Sequence, residues 1–377
     1  NGGNFSFAST TPNFNNSGTI NLASTGTSSV STSTFTNTGT LTLASGTLSL
    51  QRSVALTNTT GNVAFNGGTL TLGGGYDTSF FASGHYTRTG GTTLNLNGTL
   101  NIGGGTLDIG SAGLFGSGGL NGTVGGTLSN GTLISGDGTV LTGSGNATLT
   151  NVTLGDATHL SLTTAGSFHV SNNLTLADGG TLNIGGGNWY FDNAGTHNVA
   201  TVTANAGATI NSSGATIYSN HGTLNAQTID VNAGVVLQGY GTFWRNGGNG
   251  QTWINHGIFN ANTSGQTWSI NYTDTFNNSG VMNASNGGNF SFASTTPNFN
   301  NSGTISLAGG TLSRTSANLT NPSGGTISGY GTINMGSFTL TNNGTIKVGD
   351  TGVPGTGSLI ISGNLVMGTG SQLNMDV

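Results

Sequence analysis

Ten carboxylates and six imidazoles are the whole acid–base stock of this 377-residue chain, and every carboxylate is an aspartate. Glycosidic hydrolysis needs two such acids facing each other across a bond. Here Asp77, Asp108, Asp137, Asp156, Asp178, Asp192, Asp230, Asp274, Asp350 and Asp376 are scattered along the chain. Most stand beside Gly, Ala, Thr or Asn, where Asp is an ordinary turn former. Two of them on neighbouring layers of a stacked fold could still meet at one point. His85, His159, His169, His197, His221 and His256 include no pair at the H-x-x-x-H spacing of metal ligands. No G-x-S-x-G elbow occurs, and "SGQTW" at 264 to 268 is not one. The "GGG" runs at 73 to 75, 103 to 105 and 185 to 187 lack the lysine and following helix of a phosphate cradle, and calcium-binding "GGxGxD" nonapeptides are missing. The sequence therefore predicts no catalytic constellation, no cofactor and no metal.

Binding chemistry is narrowed as sharply. Five basic residues against ten acids, a formal net charge of −5, argue against nucleic acid, which demands a basic surface. No run of 18 apolar residues exists, so no membrane-spanning helix is expected. The aromatic stretch at 240 to 276 is the exception: it carries Tyr240, Phe243, Trp244, Trp253, Phe259, Trp268, Tyr272 and Phe276, with three of the four tryptophans. Aromatics exposed along one face are a platform for sugar rings or a partner protein. Trp253 shares a sequence column with Phe276 and Phe299 and is expected in the core. Trp244, Trp268 and Tyr272 fall outside that column and are the candidate ligand contacts. Host or matrix glycans are the ligands this implies. "STSTFTNTGTLTL" at 31 to 43 is also compatible with the Thr-x-Thr face of an ice-binding solenoid. Its aligned columns, however, mix Thr with Ser, Asn, Val and Ala.

The elements that position these residues follow from composition. Charged residues make up 4% of the chain, against roughly 25% in an average soluble domain, and Gly alone fills 70 positions. Glu is absent and Lys347 is the one lysine, so Glu/Lys helix surfaces cannot be built. Thr, Val, Ile and Phe favour strands, Gly and Asn favour turns, and the fold class read from this is all-β. A hydrophobic content of 33%, placed in strict alternation, separates the chain from a disordered Gly/Ser linker. Zero cysteines exclude disulfides. The chain opens at Asn1 with neither an initiator Met nor an apolar leader, and a mature or excised segment is expected.

A repeat then emerges. Aligned on an apolar residue two positions before Asn, eight starts share the column Asn16, Asn37, Asn58, Asn255, Asn278, Asn301, Asn321 and Asn342. Steps between neighbours within each run are 20 to 23 residues. Gly follows two residues later in six of the eight (Gly18, Gly39, Gly257, Gly280, Gly303, Gly344) and one residue late in two (Gly61, Gly324). A unit of this length, holding short alternating strands such as "GTLTLASGTLSL" at 39 to 50, cannot bury its own apolar face. It must stack on its neighbours as one turn of a solenoid, with turns about 4.8 Å apart. Stacking explains the Asn column, because each side-chain amide can donate to one neighbour and accept from the other. The Gly two positions on is expected to supply positive φ at the corner. Regular coils are expected at 1 to 89 and 241 to 377, with less regular ones at 90 to 240, in one continuous solenoid. About 17 to 19 coils would then make a rod of roughly 80 to 90 Å.

"SGDGTV" (135 to 140), "QGYGTF" (238 to 243), "SGYGTI" (328 to 333) and the closing run "NNGTIKVGDTGVPGTGSLIISGNLVMGTGSQLNMDV" (342 to 377) resemble phrases of bacterial secreted β-helix exoproteins. That group includes autotransporter passengers and filamentous-haemagglutinin-like adhesins. Val348 stands where their closing pattern has Pro. The resemblance implies a right-handed, single-stranded parallel β-helix, exported to the bacterial surface. The twenty residues "NGGNFSFASTTPNFNNSGTI" occur at both 1 to 20 and 286 to 305, so coils behave as interchangeable parts. The expectation is a non-catalytic extracellular filament subunit or adhesin stalk whose partner is itself, head to tail or side by side. The alternative expectation is a glycan-binding or glycan-cleaving β-helix using the aromatics at 240 to 276.

Overall fold

The computed structural model describes residues 4–7, 13–51, 56–155, 159–164, 166–171, 174–192, 199–203, 207–220, 227–246, 250–294, 296, 298–349 and 357–375. Strands take up 63% of the chain and helix 2%, in parallel stacked coils that form a β-solenoid of about 14 turns. The chain divides into two compact units, Asn1–His169 and Val170–Val377.

In the first unit short strands pair in parallel with their equivalents one coil away. Thr27–Val30, Thr47–Leu50, Thr69–Leu72 and Thr93–Leu96 form one such column. Alternate residues point inward, so Leu48, Leu50, Leu70, Leu72, Leu94 and Leu96 are all buried, while the Thr and Ser between them face outward. Each such Leu contributes about 1.5–3 kcal/mol by leaving water. Corner Asn residues connect the coils: Asn16 Nδ2 donates to Asn37 Oδ1 at 2.8 Å, and Asn37 Nδ2 donates to Asn58 Oδ1 at 2.8 Å. One short helix, Thr78–Ala82, interrupts the strands, with the Asp77 carboxylate accepting from Ser79 N at its start. It drives Phe81 into a cluster with Tyr86 and Phe115. Beneath lies Arg88, buried without a carboxylate partner in the described residues. Its guanidinium donates instead to Thr92 O (2.6 Å), Asn121 Oδ1 (2.7 Å) and Gly119 O, which lets a cation stay inside.

In the second unit the same construction recurs with a longer ladder. Asn255, Asn278, Asn301 and Asn321 each donate through Nδ2 to the Oδ1 of the next member, ending on Asn342, at 2.7, 2.7, 3.0 and 2.7 Å. Asn278, Asn301, Asn321 and Asn342 are completely buried. Every donor points the same way along the stack, so the amide dipoles align and polarise one another. Phe276 lies across from Trp253 and Phe299 from Phe276, all three inward, as their shared column predicts.

Two expectations are corrected. Several coils are longer than 20 to 23 residues: Thr99 pairs with Thr127, Thr181 with Thr209 and Thr345 with Gln372, steps of 28, 28 and 27. Fewer turns therefore consume the chain, about 14 rather than 17 to 19. The Gly two positions after the ladder Asn does not serve a positive φ either; Gly39, Gly280 and Gly303 all lack one, whereas the displaced Gly324 has a φ of 93°. A Cβ on these residues would stand 2.0, 2.1 and 2.2 Å from the carbonyl oxygens of Gly18, Gly257 and Gly280 in the preceding coil. Glycine is demanded by the close approach of stacked backbones.

Replacing Asn301 by Leu removes two amide–amide bonds and leaves Asn278 Nδ2 and Asn321 Oδ1 buried without those partners. Urea unfolding should show a loss of about 2–5 kcal/mol, against less than about 0.5 kcal/mol for Asn300→Ala on the exposed side of the same strand. The Tyr86 phenol, desolvated by burial, is pushed from 10.0 up to about 12 despite the nearby Arg88, and Tyr76 is raised in the same direction by burial. The folded state thus favours the neutral phenols; that stability is fully present below pH 10 and is lost as pH climbs toward 12. A circular-dichroism pH titration should show unfolding in this window, delayed to higher pH in Tyr86→Phe.

Candidate functional site

Strand alternation sorts the aromatic residues of the second unit into two sets. Gly187–Asp192, Ala208–Asn220, Val235–Asn246 and Thr267–Ile270 lie on successive coils, in register. Trp189, Ile217, Phe243 and Ile270 point inward and are at most 5% exposed. One residue on, Tyr190, Tyr218 and Trp244 face outward, directly across from one another and half-buried. Tyr190 and Tyr218 stack with centroids 4.5 Å apart and planes 12° from parallel. On the next coil the strand ends at Ile270, and Tyr272 adopts a left-handed φ of 52°. That turn returns its ring to the stripe, 4.5 Å from Trp244 and tilted by 51°, with 39% of Tyr272 exposed. A non-glycine residue in that region carries strain that its surroundings must offset.

The candidate contacts are therefore divided. Trp244 and Tyr272 come together on the surface, whereas Trp268 is fully buried and is corrected to a core residue. The cause is parity: in Thr267–Ile270 the second and fourth side chains face in, and Trp268 packs on Phe243 and Phe259. Gly241 makes the room, since a Cβ there would lie 2.8 Å from the Trp268 ring. Tyr190 and Tyr218 were not singled out by sequence; their 28-residue and 26-residue separations (190 to 218, 218 to 244) fall outside the 20-to-23-residue period. Beside the stripe Arg245 and Asp274 form an ion pair at 3.1 Å, and Asp274 also accepts from Gln251 N at 2.7 Å.

Several Asp carboxylates are spent on the backbone. Asp108 accepts from Gly110 N and Gly136 N, and Asp137, one coil on, from Ser111 N, Thr139 N and Thr139 Oγ1. These bonds hold the Asp137 carboxyl well below the usual range, with the Thr139 hydroxyl the largest cause. Stacking does bring two carboxylates to one corner, yet both serve as turn anchors. Asp230, His256 and Ser279 also fall on three successive coils: His256 Nδ1 meets Asp230 Oδ1 at 2.7 Å, and Ser279 follows His256 in the column. A nucleophilic triad would require the serine hydroxyl on the imidazole and free N–H groups beside it. Ser279 Oγ instead faces Asn255 O at 3.3 Å, and Ser279 N and Gly280 N both donate to that same carbonyl. Among the described residues no group of three His, Cys, Asp or Glu side chains could hold a metal. Asp156, Asp350, Asp376, His197 and His221 lie outside the described residues, as do the side chains of Asp192 and His159.

The chain matches no family model, no curated protein and no solved structure.

Trp189, Trp253 and Trp268 are buried to 3% or less, while Trp244 is half-buried on the outer face. Acrylamide should quench a minor, red-shifted share of the tryptophan fluorescence, and Trp244→Phe should abolish that share.

Proposed function

We propose that this chain is a non-catalytic structural protein of the bacterial cell surface, an extracellular filament subunit or adhesin stalk built from stacked β-coils. The observation that carries this reading is where the buried polar groups go. Asn side chains that could present chemistry are consumed in coil-to-coil ladders, and the described Asp carboxylates with resolved bonds hold turns, helix ends or ion pairs. Such a molecule offers reach and persistence. The phrases shared with autotransporter passengers and filamentous-haemagglutinin-like adhesins support secretion and a surface location.

The coil that occurs twice shows how much apolar surface a neighbouring coil covers. Sandwiched at 286 to 305, its Phe290, Phe292 and Phe299 are at most 5% exposed; at 1 to 20 the equivalent Phe5, Phe7 and Phe14 are only half-buried. Leu359–Met367 and Gln372–Met375 likewise expose Ile360, Leu365, Val366, Leu373 and Met375 beside strand edges. Each of these surfaces is complementary to one more coil, whether of the same chain or of a second copy.

Resistance to proteolysis fits an exposed fibre. Arg88 and Arg314 are buried, Arg245 is held by Asp274, and Lys347 is exposed. Limited trypsin digestion should cut after Lys347 well before Arg88 or Arg314. Negative-stain imaging with sedimentation over a concentration series tests the reading itself. Slender particles are expected; lengthening with concentration identifies the filament subunit and constant length the stalk, whereas round, compact particles contradict both.

A further inference from the structure

The geometry points to a carbohydrate track on the second unit: the outward stripe Tyr190–Tyr218–Trp244–Tyr272 binds a neutral, extended polysaccharide. This goes beyond the scaffold role and does not depend on it. The first argument is what the positions usually hold. Outward positions of these strands carry Thr, Ser or Asn, as at Asn188, Thr216, Thr242 and Ser269, yet two residues further along, the same strands place an aromatic on the surface. Three coils in succession do so, and on the fourth, past the strand end, Tyr272 accepts a left-handed φ that brings its ring to the same line.

The second argument is periodicity. Every coil adds one ring and one hydroxyl or amide neighbour at a rise of about 4.8 Å. A polysaccharide repeats in the same manner, each sugar presenting an apolar C–H face and a rim of hydroxyls. The Trp244–Tyr272 pair is tilted by 51°, and Tyr272 is 39% exposed. In the parallel Tyr190–Tyr218 stack the rings cover each other, so the stack presents ring edges.

Charge selects the class of ligand. Arg245 and Asp274 beside Trp244 neutralise each other, and the chain as a whole carries five basic residues with a net charge of −5. An anionic glycan gains nothing here. A protein partner would want a broad patch, about 800 Å² per side around central anchors, and the stripe is one residue wide.

Affinity electrophoresis of the full chain tests this in gels cast with mixed-linkage β-glucan, galactomannan, xylan or, for comparison, alginate. Retardation is expected in at least one neutral gel, with the apparent affinity falling about tenfold or more in Trp244→Ala and in Tyr272→Ala, since tenfold is 1.4 kcal/mol and a stacked anchor exceeds that. Thr311→Ala, outward on the same unit but off the stripe, should bind as the parent does. Circular dichroism confirms folding of each variant, and Tyr190→Ala replaces any that fails. No retardation in every neutral gel, retardation in alginate alone, or undiminished binding by the folded stripe variants would each overturn the proposal. Particle shape in the imaging experiment is unaffected by any of these outcomes, so the two readings fail separately.

Discussion

One side-chain hydrogen bond, the amide of an Asn donating to the amide of its equivalent one coil away, is the constraint on which the rest of the structure depends. A primary amide carries donor and acceptor on one short planar group, so a single residue type can pass the bond on indefinitely. Ser can donate and accept but does not span the gap, and a carboxylate has nothing to donate. Because the ladder Asn is buried, its pairing is enforced: an unmet amide in that environment costs far more than the bond itself contributes. The ladder thereby sets the register of the apolar columns beside it, Leu on Leu and Phe on Phe. It also brings successive backbones close enough that only Gly fits beside it, as the Gly280 carbonyl and Gly303 show.

Much of this was legible in the sequence because the ladder requires an unvarying side chain at a nearly unvarying interval. The eight Asn and the inward Trp253–Phe276–Phe299 column follow from that one regularity, and the all-β class from composition. What escaped has a common physical origin. Where coils lengthen to 24 to 28 residues, equivalent positions are no longer found by a fixed step. A second ladder, Asn183, Asn211, Gln238 and Asn262, went unseen for this reason and because Gln replaces Asn in it. Its donors run toward the earlier coil, opposite to the buried ladder, as half-exposed amides are free to do. The outward Tyr190 and Tyr218 were hidden in the same way. Trp268 was misplaced because its surface or core position depends on strand parity, which shifts by one residue at each irregular corner. The glycine role was misjudged because a close approach between coils leaves no local trace.

Polar chemistry and stability compete for the same residues in such a fold. Asp108 with Asp137, and Asp230 with His256 and Ser279, show that stacking readily gathers reactive types at one corner. It also surrounds them with backbone N–H and C=O groups, which take up their bonding capacity. Outward strand faces escape this competition, since their side chains are not needed to satisfy the backbone. That is where the aromatic stripe lies, and where a solenoid can acquire a binding role without losing its packing.

The most direct measurement of the central claim is hydrogen exchange at the side-chain amides, followed by NMR on selectively Asn-labelled protein. Nδ2 protons of Asn278, Asn301 and Asn321 should be protected for hours, and those of Asn278 and Asn321 should lose that protection in Asn301→Leu, while Asn300, exposed and bonded to Asn277 Oδ1, exchanges far faster. Ladder amides that exchange as fast as Asn300, or that keep their protection when Asn301 is gone, would contradict it.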